Sequence, residues 1–512
     1  MEEVLIVGAG PTGLVLALLL NRFGIPLRII DKDSVPGQTS RAVVLHARTL
    51  EFYQQLGFAD EVVAKGIIIE KINIRKKGEV VAGVNLSAFG RESSPFPFIL
   101  SFPQDDHEKL LLEHLEKAGI NVERNTEFLN YKEEGNQISA QIKKNNEIEF
   151  IKTPYLFGCD GASSTVRNAA GIHFPGGTYS QLFYVADVLA TGDVINGFLQ
   201  LCFNENDFAL AFPVRSSSSI RLIGIVPPEI ASKEKIEFSD VAEAAIRNTR
   251  IRISKVNWFS TYHSHHRVAK NFRKGRVFLL GDAGHIHSPV GAQGMNTGIG
   301  DAVNLAWKIA ELMHKRSAPS ILNTYEIERI GFARRLIFST DKVFKAISNQ
   351  GFLGQLFRNL VFPHLVPRLL ESEKLKYFLF KTVSQTNVNY RKSFLSEGDA
   401  GKIKGGDRLP WVKYDIIDNF KTLQSLDWQL HIYGSSSPDF KESINRLSLE
   451  LVEFLWNEEA NKAGLEKDAV YLIRPDGYVA YANSIQEIHP LSEYLAKLTR
   501  ETDVSKVEGE ME

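Results

Sequence analysis

Near the start of the chain, Gly8-Ala9-Gly10-Pro11-Thr12-Gly13 separates a short apolar run, Val4 to Val7, from the helix-like stretch Leu14 to Phe23. Few features constrain a fold more. Glycines at these spacings let the chain turn sharply out of a strand, bring backbone against a ligand and pack a helix closely on a sheet. Gly24 and Pro26 break the helix, and a second apolar run, Leu27 to Ile30, leads into Asp31 and Lys32, the acid standing 23 positions after Gly8. This is a whole βαβ unit in a dinucleotide-binding context. A pyrophosphate would sit at the positive helix N-terminus, and the acid would take the adenosine ribose hydroxyls. Gly8, Gly10, Pro11, Thr12, Gly13, Asp31 and Lys32 are the first candidate site residues. The competing reading is an ordinary βα turn followed by a surface acid.

A second motif selects among dinucleotides. Gly281-Asp282 ends a buried-type strand at Val277–Leu280, and a glycine-rich loop follows, Ala283-Gly284-His285-Ile286-His287-Ser288-Pro289-Val290-Gly291-Ala292-Gln293-Gly294-Met295-Asn296, before a long helix. A carboxylate at a strand end, then a loop, then a helix suits a polyhydroxylated chain beside an electron-accepting ring. Asp282 would accept hydrogen bonds from ribityl hydroxyls. The N–H groups of Gly294, Met295 and Asn296 would face the pyrimidine edge of a flavin, where reduction places negative charge.

With a third segment, Asp160-Gly161-Ala162-Ser163-Ser164-Thr165-Val166-Arg167, the chain resembles the single-component FAD-dependent aromatic hydroxylases of the p-hydroxybenzoate hydroxylase fold. All three motifs match in order and spacing, over roughly residues 1–345. The resemblance implies that Asp160 and Arg167 help to hold FAD and organise the nicotinamide route. It implies that Arg41 and Gln104 contact the flavin or its ribityl and phosphate groups, and that Pro289 lies near the reactive edge of the ring. Gly291 belongs to the same loop. Two positions depart from the family pattern. Gly284 replaces an alanine, and Ala292 replaces a glycine, which is costly if that position needs positive φ. The chain carries one dinucleotide fingerprint and no CxxxxC pair, so NADPH or NADH is expected to bind transiently as co-substrate, without a βαβ unit of its own. The implied chemistry is oxygen transfer from a flavin C4a-hydroperoxide to an aromatic, phenolic or polyketide-like substrate, with O2 as oxidant and no side chain as nucleophile. Alternatives on the same fold are a flavin-dependent reductase and a non-catalytic flavin- or ligand-binding protein. A flavin halogenase is disfavoured, because none of the tryptophans at 258, 307, 411, 428 and 456 has another two positions away.

The expected class is α/β and α+β: a Rossmann-like FAD-binding domain, an antiparallel-sheet substrate domain and a C-terminal thioredoxin-like domain. A chain of 512 residues accommodates about three domains. The boundaries are read as 1–75, 100–178 and 268–345 for the FAD domain and 76–99 with 179–267 for the sheet domain. A helical connector follows at 346–400, then the thioredoxin-like domain at 401–500 and a polar, disordered tail at 501–512. The C-terminal assignment rests on a resemblance carried by Gly406-Asp407-Arg408-Leu409-Pro410 and Arg474-Pro475-Asp476-Gly477-Tyr478-Val479; this region has no cysteine, so a thiol redox role is excluded and packing or dimer contact is expected. Sixty basic residues against sixty-one acidic ones favour neither nucleic acid nor an anionic membrane. With two cysteines, no basic leader and no long apolar run, a soluble cytoplasmic protein is expected, possibly a homodimer.

Several tempting residues receive modest readings. His263, His265 and His266 are read as a half-exposed strand, and no metal site is expected. His285 and His287 are read as loop-holding hydrogen-bonders. Phe203, Phe208 and Phe212 either line an aromatic pocket or belong to the core of a sheet. Ser216–Ser219 is read as a loop, with Arg215 and Arg221 solvated on either side, and Cys159 as a buried small residue.

Overall fold

The computed structural model describes residues 2–37, 42–76, 78–86, 90, 93–203, 208–288, 291–348, 372–447 and 449–501. Arg41 and Pro289 lie outside these residues, as do much of the expected connector and nearly all of the tail.

Four short strands run parallel in one sheet, in the order Val277–Leu279, Leu156–Gly158, Val4–Val7 and Leu27–Ile30, with Arg273–Lys274 antiparallel at the edge. Val4 to Val7 are all buried, because the strand lies inside the core, shared with helix residues such as Leu14–Leu20 and with Phe128, Ile138 and Ile142 of an antiparallel sheet, and has no solvent side to alternate toward. The helix Pro11–Arg22 is buried along Leu14–Leu20 for the same reason, and the chain turns out of it at Gly24, with φ 70°. The register sets Val7 beside Gly158 and Gly158 beside Leu279. Consequently the three motif loops, beginning at Gly8, Cys159 and Leu280, leave the same sheet edge level with one another.

An eight-stranded sheet stands beside it, ordered His285–Ile286, Arg252–Val268, Gly176–Thr191, Ser216–Ile225, Phe208–Val214, Leu199–Phe203, Lys71–Lys76 and Glu79–Asn85. Its end strand is part of the loop after Gly281: Arg267 pairs with Ile286 and Val268 with His285. One sheet edge is thereby stitched to the flavin-type loop.

The serine stretch departs from expectation. Ser216–Ser219 begins a strand, and Val188 and Leu189 pair with Ile220 and Ser219. Arg221 is 1% exposed rather than solvated, with Nε 2.7 Å and Nη2 2.7 Å from the Asp187 carboxylate. Arg215 occupies the positive-φ turn at 58° and bonds Asp106 at 2.8 Å, while also pairing with Asp105 and Asp187. A guanidinium buried without a carboxylate would be prohibitive, so the cross-strand Asp187 is what permits Arg221 to face inward.

The C-terminal region forms a six-stranded sheet ordered Ile403–Lys404, Glu397–Ala400, Val479–Asn483, Val470–Ile473, Gln429–Tyr433 and Glu450–Phe454. Gln429–Tyr433 and Glu450–Phe454 are parallel across the helix Pro438–Arg446; Val470–Ile473 is antiparallel to Gln429–Tyr433 and to Val479–Asn483. Its Leu430, Ile432, Val470, Leu472 and Ala480 join the core that also contains the parallel sheet.

Candidate cofactor cradle

Glycines 8 and 13 are required by the protein's own packing. A Cβ on Gly8 would lie 2.4 Å from the Cys159 carbonyl oxygen, and Gly8 has φ 102°. A Cβ on Gly13 would lie 2.0 Å from the Gly8 oxygen. Gly10 differs: nothing lies within 4 Å of a Cβ built there, and its backbone is extended at φ −78° and ψ −178°. Gly10 is also the N-cap of the helix Pro11–Arg22, and no side chain caps that end. An open glycine at an uncapped helix N-terminus leaves amide donors and room for an anion.

Asp31 shapes the same turn. Its Oδ2 accepts from the Ala9 amide at 2.7 Å, and Oδ1 accepts from Asp33 N at 2.9 Å. Arg124 stands 3.7 Å from Oδ2, and Lys32 is exposed. Thr12 is wedged between two glycines: a Cβ on Gly281 would be 2.7 Å, and one on Gly298 2.4 Å, from its Oγ1. The helices Pro11–Arg22 and Gly294–Met313 meet at this contact, which brings the first and last motifs together.

The middle motif is a brace. Asp160 accepts from Ser164 Oγ at 2.5 Å and from Val166 N at 3.0 Å, and burial raises its carboxyl above the usual range. Arg167, 5% exposed, donates to the Ala283 and Ala162 carbonyls at 2.9 Å each and lies 3.9 Å over the Phe174 ring. It therefore ties the 160s loop to the 280s loop.

In the last motif, Gly281 has φ 58° and its amide donates to Asp301 Oδ2 at 3.0 Å. Asp282 is exposed in the turn Gly281–Ala283. Gly291 and Ala292 both have positive φ, 78° and 50°. Ala292 thus adopts the conformation for which glycine is ordinary, at a cost of roughly 1–2 kcal/mol. Asn296 repays part of this by joining three segments. Its Oδ1 accepts from His46 N at 2.9 Å and Thr49 Oγ1 at 2.8 Å, and its Nδ2 donates to the carbonyls of Val44 and Ala292. His46 Nε2–H donates to the Gly291 carbonyl at 2.8 Å; burial pushes this ring down to about 4, so it stays neutral. Gly294 and Met295 are half-buried in the first turn of the helix Gly294–Met313, which again has no side-chain cap. Gln104 lies at the start of the helix Gln104–Lys117. Its amide N donates to the Ala42 carbonyl at 3.1 Å, next to Arg41 in sequence, and its side chain donates to Glu108 at 2.7 Å.

The histidines divide. His285, 1% exposed, donates from Nε2 to Asp301 at 2.6 Å and so holds the loop. His287 donates from Nδ1 to the Ser288 carbonyl at 2.8 Å. His263, His265 and His266 lie along the partly exposed strand Arg252–Val268, and no metal-binding cluster occurs among the described residues. Cys159 is buried and its thiol is pushed up by burial.

His46, Asp301 and Arg329 lie in no recognisable motif, yet they hold the cradle together. Arg329 donates to Asp301 Oδ1 at 2.6 Å and to the Thr297 carbonyl at 3.0 Å. Burial by itself would raise the Asp301 carboxyl, but Arg329 and His285 outweigh it and hold it below its usual range. The available signal was Asp301 itself, a carboxylate between the apolar residues Ile299, Ala302 and Val303, which had to find buried partners.

Two uncapped helix N-termini, an open glycine and an exposed carboxylate at one sheet edge fit FAD: anionic pyrophosphate, ribityl hydroxyls and a pyrimidine edge each have a matching group. The comparisons agree. The family described as "FAD binding domain" matches residues 1–340. A 6-methylpretetramide 4-monooxygenase from Streptomyces rimosus is 33% identical over 340 residues, 66% of this chain and 61% of that enzyme. A Bacillus subtilis (strain 168) protein named as an aromatic compound monooxygenase is 30% identical over 488 residues, 94% of each chain. The crystal structure of the flavin-dependent monooxygenase PieE with FAD and substrate has the same fold, with TM-score 0.81 and 21% identity over 97% of this chain and 98% of that one. The chain therefore belongs to the FAD-binding domain family, and FAD is its cofactor.

Proposed function

We propose that the protein is a monooxygenase that uses NADPH or NADH and O2 to hydroxylate an aromatic, phenolic or polyketide-like substrate. Per turnover, one oxygen atom enters the substrate and the other leaves as water, while the nicotinamide gives up a hydride. FAD supplies the oxygen-activating chemistry when bound. The protein's task is to hold it, admit the substrate and exclude water.

One observation carries the reading beyond FAD binding. Val43 and Val44 beside the cradle, Leu199, Phe212 and Val214 of the eight-stranded sheet and partly buried Leu210, Ile223, Ala292 and Phe380 belong to one apolar cluster. An apolar sheet face thus meets the flavin-type loop at Ala292, and an aromatic ring seated there would be shielded from water. Phe203 and Phe212 are buried at 4% and 6% exposure, and of these two described side chains Phe212 belongs to this wall. The relatives' names support the same substrate class: besides the pretetramide enzyme they include a pentachlorophenol 4-monooxygenase from Sphingobium chlorophenolicum. The strand order of the C-terminal unit, a parallel pair followed by an antiparallel pair, supports a thioredoxin-like reading without a thiol.

The test is anaerobic stopped-flow reduction of the holoprotein by NADPH and NADH across phenols, naphthols and polycyclic phenolic compounds. A substrate accelerates reduction at least about tenfold, a change of ~1.4 kcal/mol in barrier, and gains one oxygen in air. Fast reduction that no compound accelerates, with hydrogen peroxide as the sole oxygen product, refutes the hydroxylase reading.

A further inference from the structure

The turn Arg474-Pro475-Asp476-Gly477 belongs to the C-terminal unit, yet its charged side chains are buried in the FAD domain. Arg474 is 0% exposed and Asp476 2%. Arg474 donates to both oxygens of Glu328, at 2.8 and 3.0 Å, across 146 positions of sequence. Glu328 also accepts from Lys308 at 2.8 Å, Asn304 at 2.6 Å and Ser393 at 2.6 Å. Lys308 and Asn304 lie on the helix Gly294–Met313, whose first turn faces the cofactor cradle, and Glu328 lies on the helix Asn323–Ser348. Glu328 therefore ties these two helices to each other, and Arg474 fastens the C-terminal turn to that same carboxylate.

Asp476 makes a second bridge. Its carboxylate accepts from Trp307 Nε1 at 3.1 Å, on the same helix, and its backbone carbonyl accepts from Arg48 Nη2 at 2.7 Å. Arg48 lies on the helix Ala47–Leu56, which also carries Thr49, and His46 immediately precedes it. His46 and Thr49 are the two donors to Asn296. Asp476 thus joins the two elements that meet at Asn296.

From Glu328 the bonds continue toward the motif loop. The adjacent Arg329 bonds Asp301, Thr297 and the Tyr390 hydroxyl, and Asp301 holds the Gly281 amide. Gly300 makes the approach possible, since a Cβ there would lie 3.1 Å from Arg329 Nη2. Arg474, Lys308 and Arg329 are balanced by Glu328, Asp476 and Asp301. Such a fully paired buried set tolerates one arrangement and resists displacement of any member.

We propose that Arg474 and Asp476 are positioning residues for the flavin: through Glu328, Trp307 and Arg48 they fix where the Gly294–Asn296 amides and the Gly281 turn stand around the isoalloxazine and ribityl chain. The C-terminal unit then shapes the cofactor's electronic environment without touching it. This inference rests on FAD binding and is independent of which compound is oxidised.

The test uses full-length protein with Arg474→Met, Arg474→Lys, Asp476→Asn and, as control, Tyr471→Phe. The control removes only bonds inside the C-terminal sheet, where the Tyr471 hydroxyl accepts from Glu466 N and donates to the Ala400 carbonyl. For each variant, FAD Kd, the position of the visible flavin band and the midpoint potential are measured beside unfolding of the apoprotein. Arg474→Met should weaken FAD at least tenfold and shift band and potential, Arg474→Lys should recover part of both, and Tyr471→Phe should leave them unchanged. Should Arg474→Met fail to fold, Arg474→Lys and Asp476→Asn decide by the same readouts. Wild-type Kd, band and potential in the folded Arg474 and Asp476 variants overturn the proposal, as does an equal flavin shift in Tyr471→Phe.

Discussion

Two glycines of the first motif, Gly10 and Gly13, should respond differently to the same added methyl group. At Gly13 the methyl carbon would sit 2.0 Å from the Gly8 oxygen and 3.3 Å from Cys159 Cβ. The helix must move off the strand by more than an ångström, and overpacking of this kind costs about 1–3 kcal/mol. At Gly10 the methyl meets no protein atom within 4 Å, and φ −78° is ordinary for alanine. Restricting the unfolded chain favours the alanine by roughly 0.4–1 kcal/mol, and its poorer fit at the N-cap costs about as much, so the apoprotein should change little in stability. FAD binding should expose the cost of Gly10→Ala, because the methyl occupies the face open to the pyrophosphate. A tenfold rise in FAD Kd corresponds to about 1.4 kcal/mol, lost by the holoprotein alone. The assay pairs denaturant unfolding of apoprotein with fluorescence titration of FAD, for Gly10→Ala, Gly10→Val and Gly13→Ala. The reasoning is refuted if Gly10→Val binds FAD as tightly as wild type, or if Gly13→Ala leaves apoprotein stability untouched.

Three further outcomes follow from the structure. Asp282→Ala, at an exposed turn position, should purify folded but flavin-poor, as the ratio of flavin to protein absorbance will report. Arg221→Met leaves the Asp187 carboxylate without its bidentate partner and should destabilise the apoprotein by about 3–5 kcal/mol, measurable by denaturant unfolding; a loss under ~1 kcal/mol would mean solvent reaches the pair. His46, His107, His287 and His431 are pushed down to about 4, 3, 4 and 3 by burial. The unfolded chain takes up these protons near pH 6.5 and the folded chain does not until near pH 4, so their contribution is full above pH 6.5 and is lost as pH falls. Between pH 6.5 and 5.5 each should cost ~1 kcal/mol, and replacing His431 with a neutral residue that still folds should flatten the slope.

What was readable in the sequence, and what was not, follows from where each partner lies. Gly8, Asp31 and Gly281 carry their information locally, in a turn, a strand end and a spacing, so the segments that gather at one end of the parallel sheet could be picked out from residues alone. Arg221 could not, because its partner Asp187 is fixed by strand pairing across 34 positions, and a serine run gives no apolar alternation to announce a strand. Arg474 and Glu328 are farther apart still, and either charge taken alone looks like surface. Ala292 was readable as a departure from pattern, but its positive φ belongs to the folded loop.

During turnover one oxygen atom should pass from O2 to an aromatic ring at the flavin cradle. The most direct measurement is turnover of a reduction-accelerating phenolic compound with NADPH under isotopically heavy O2, with mass spectrometry of the product. The product should carry one heavy oxygen atom per molecule, in step with NADPH consumed, and none with Gly10→Val protein stripped of FAD. A product whose new oxygen comes from water, or NADPH oxidation that yields only heavy hydrogen peroxide with every compound, would contradict this transfer.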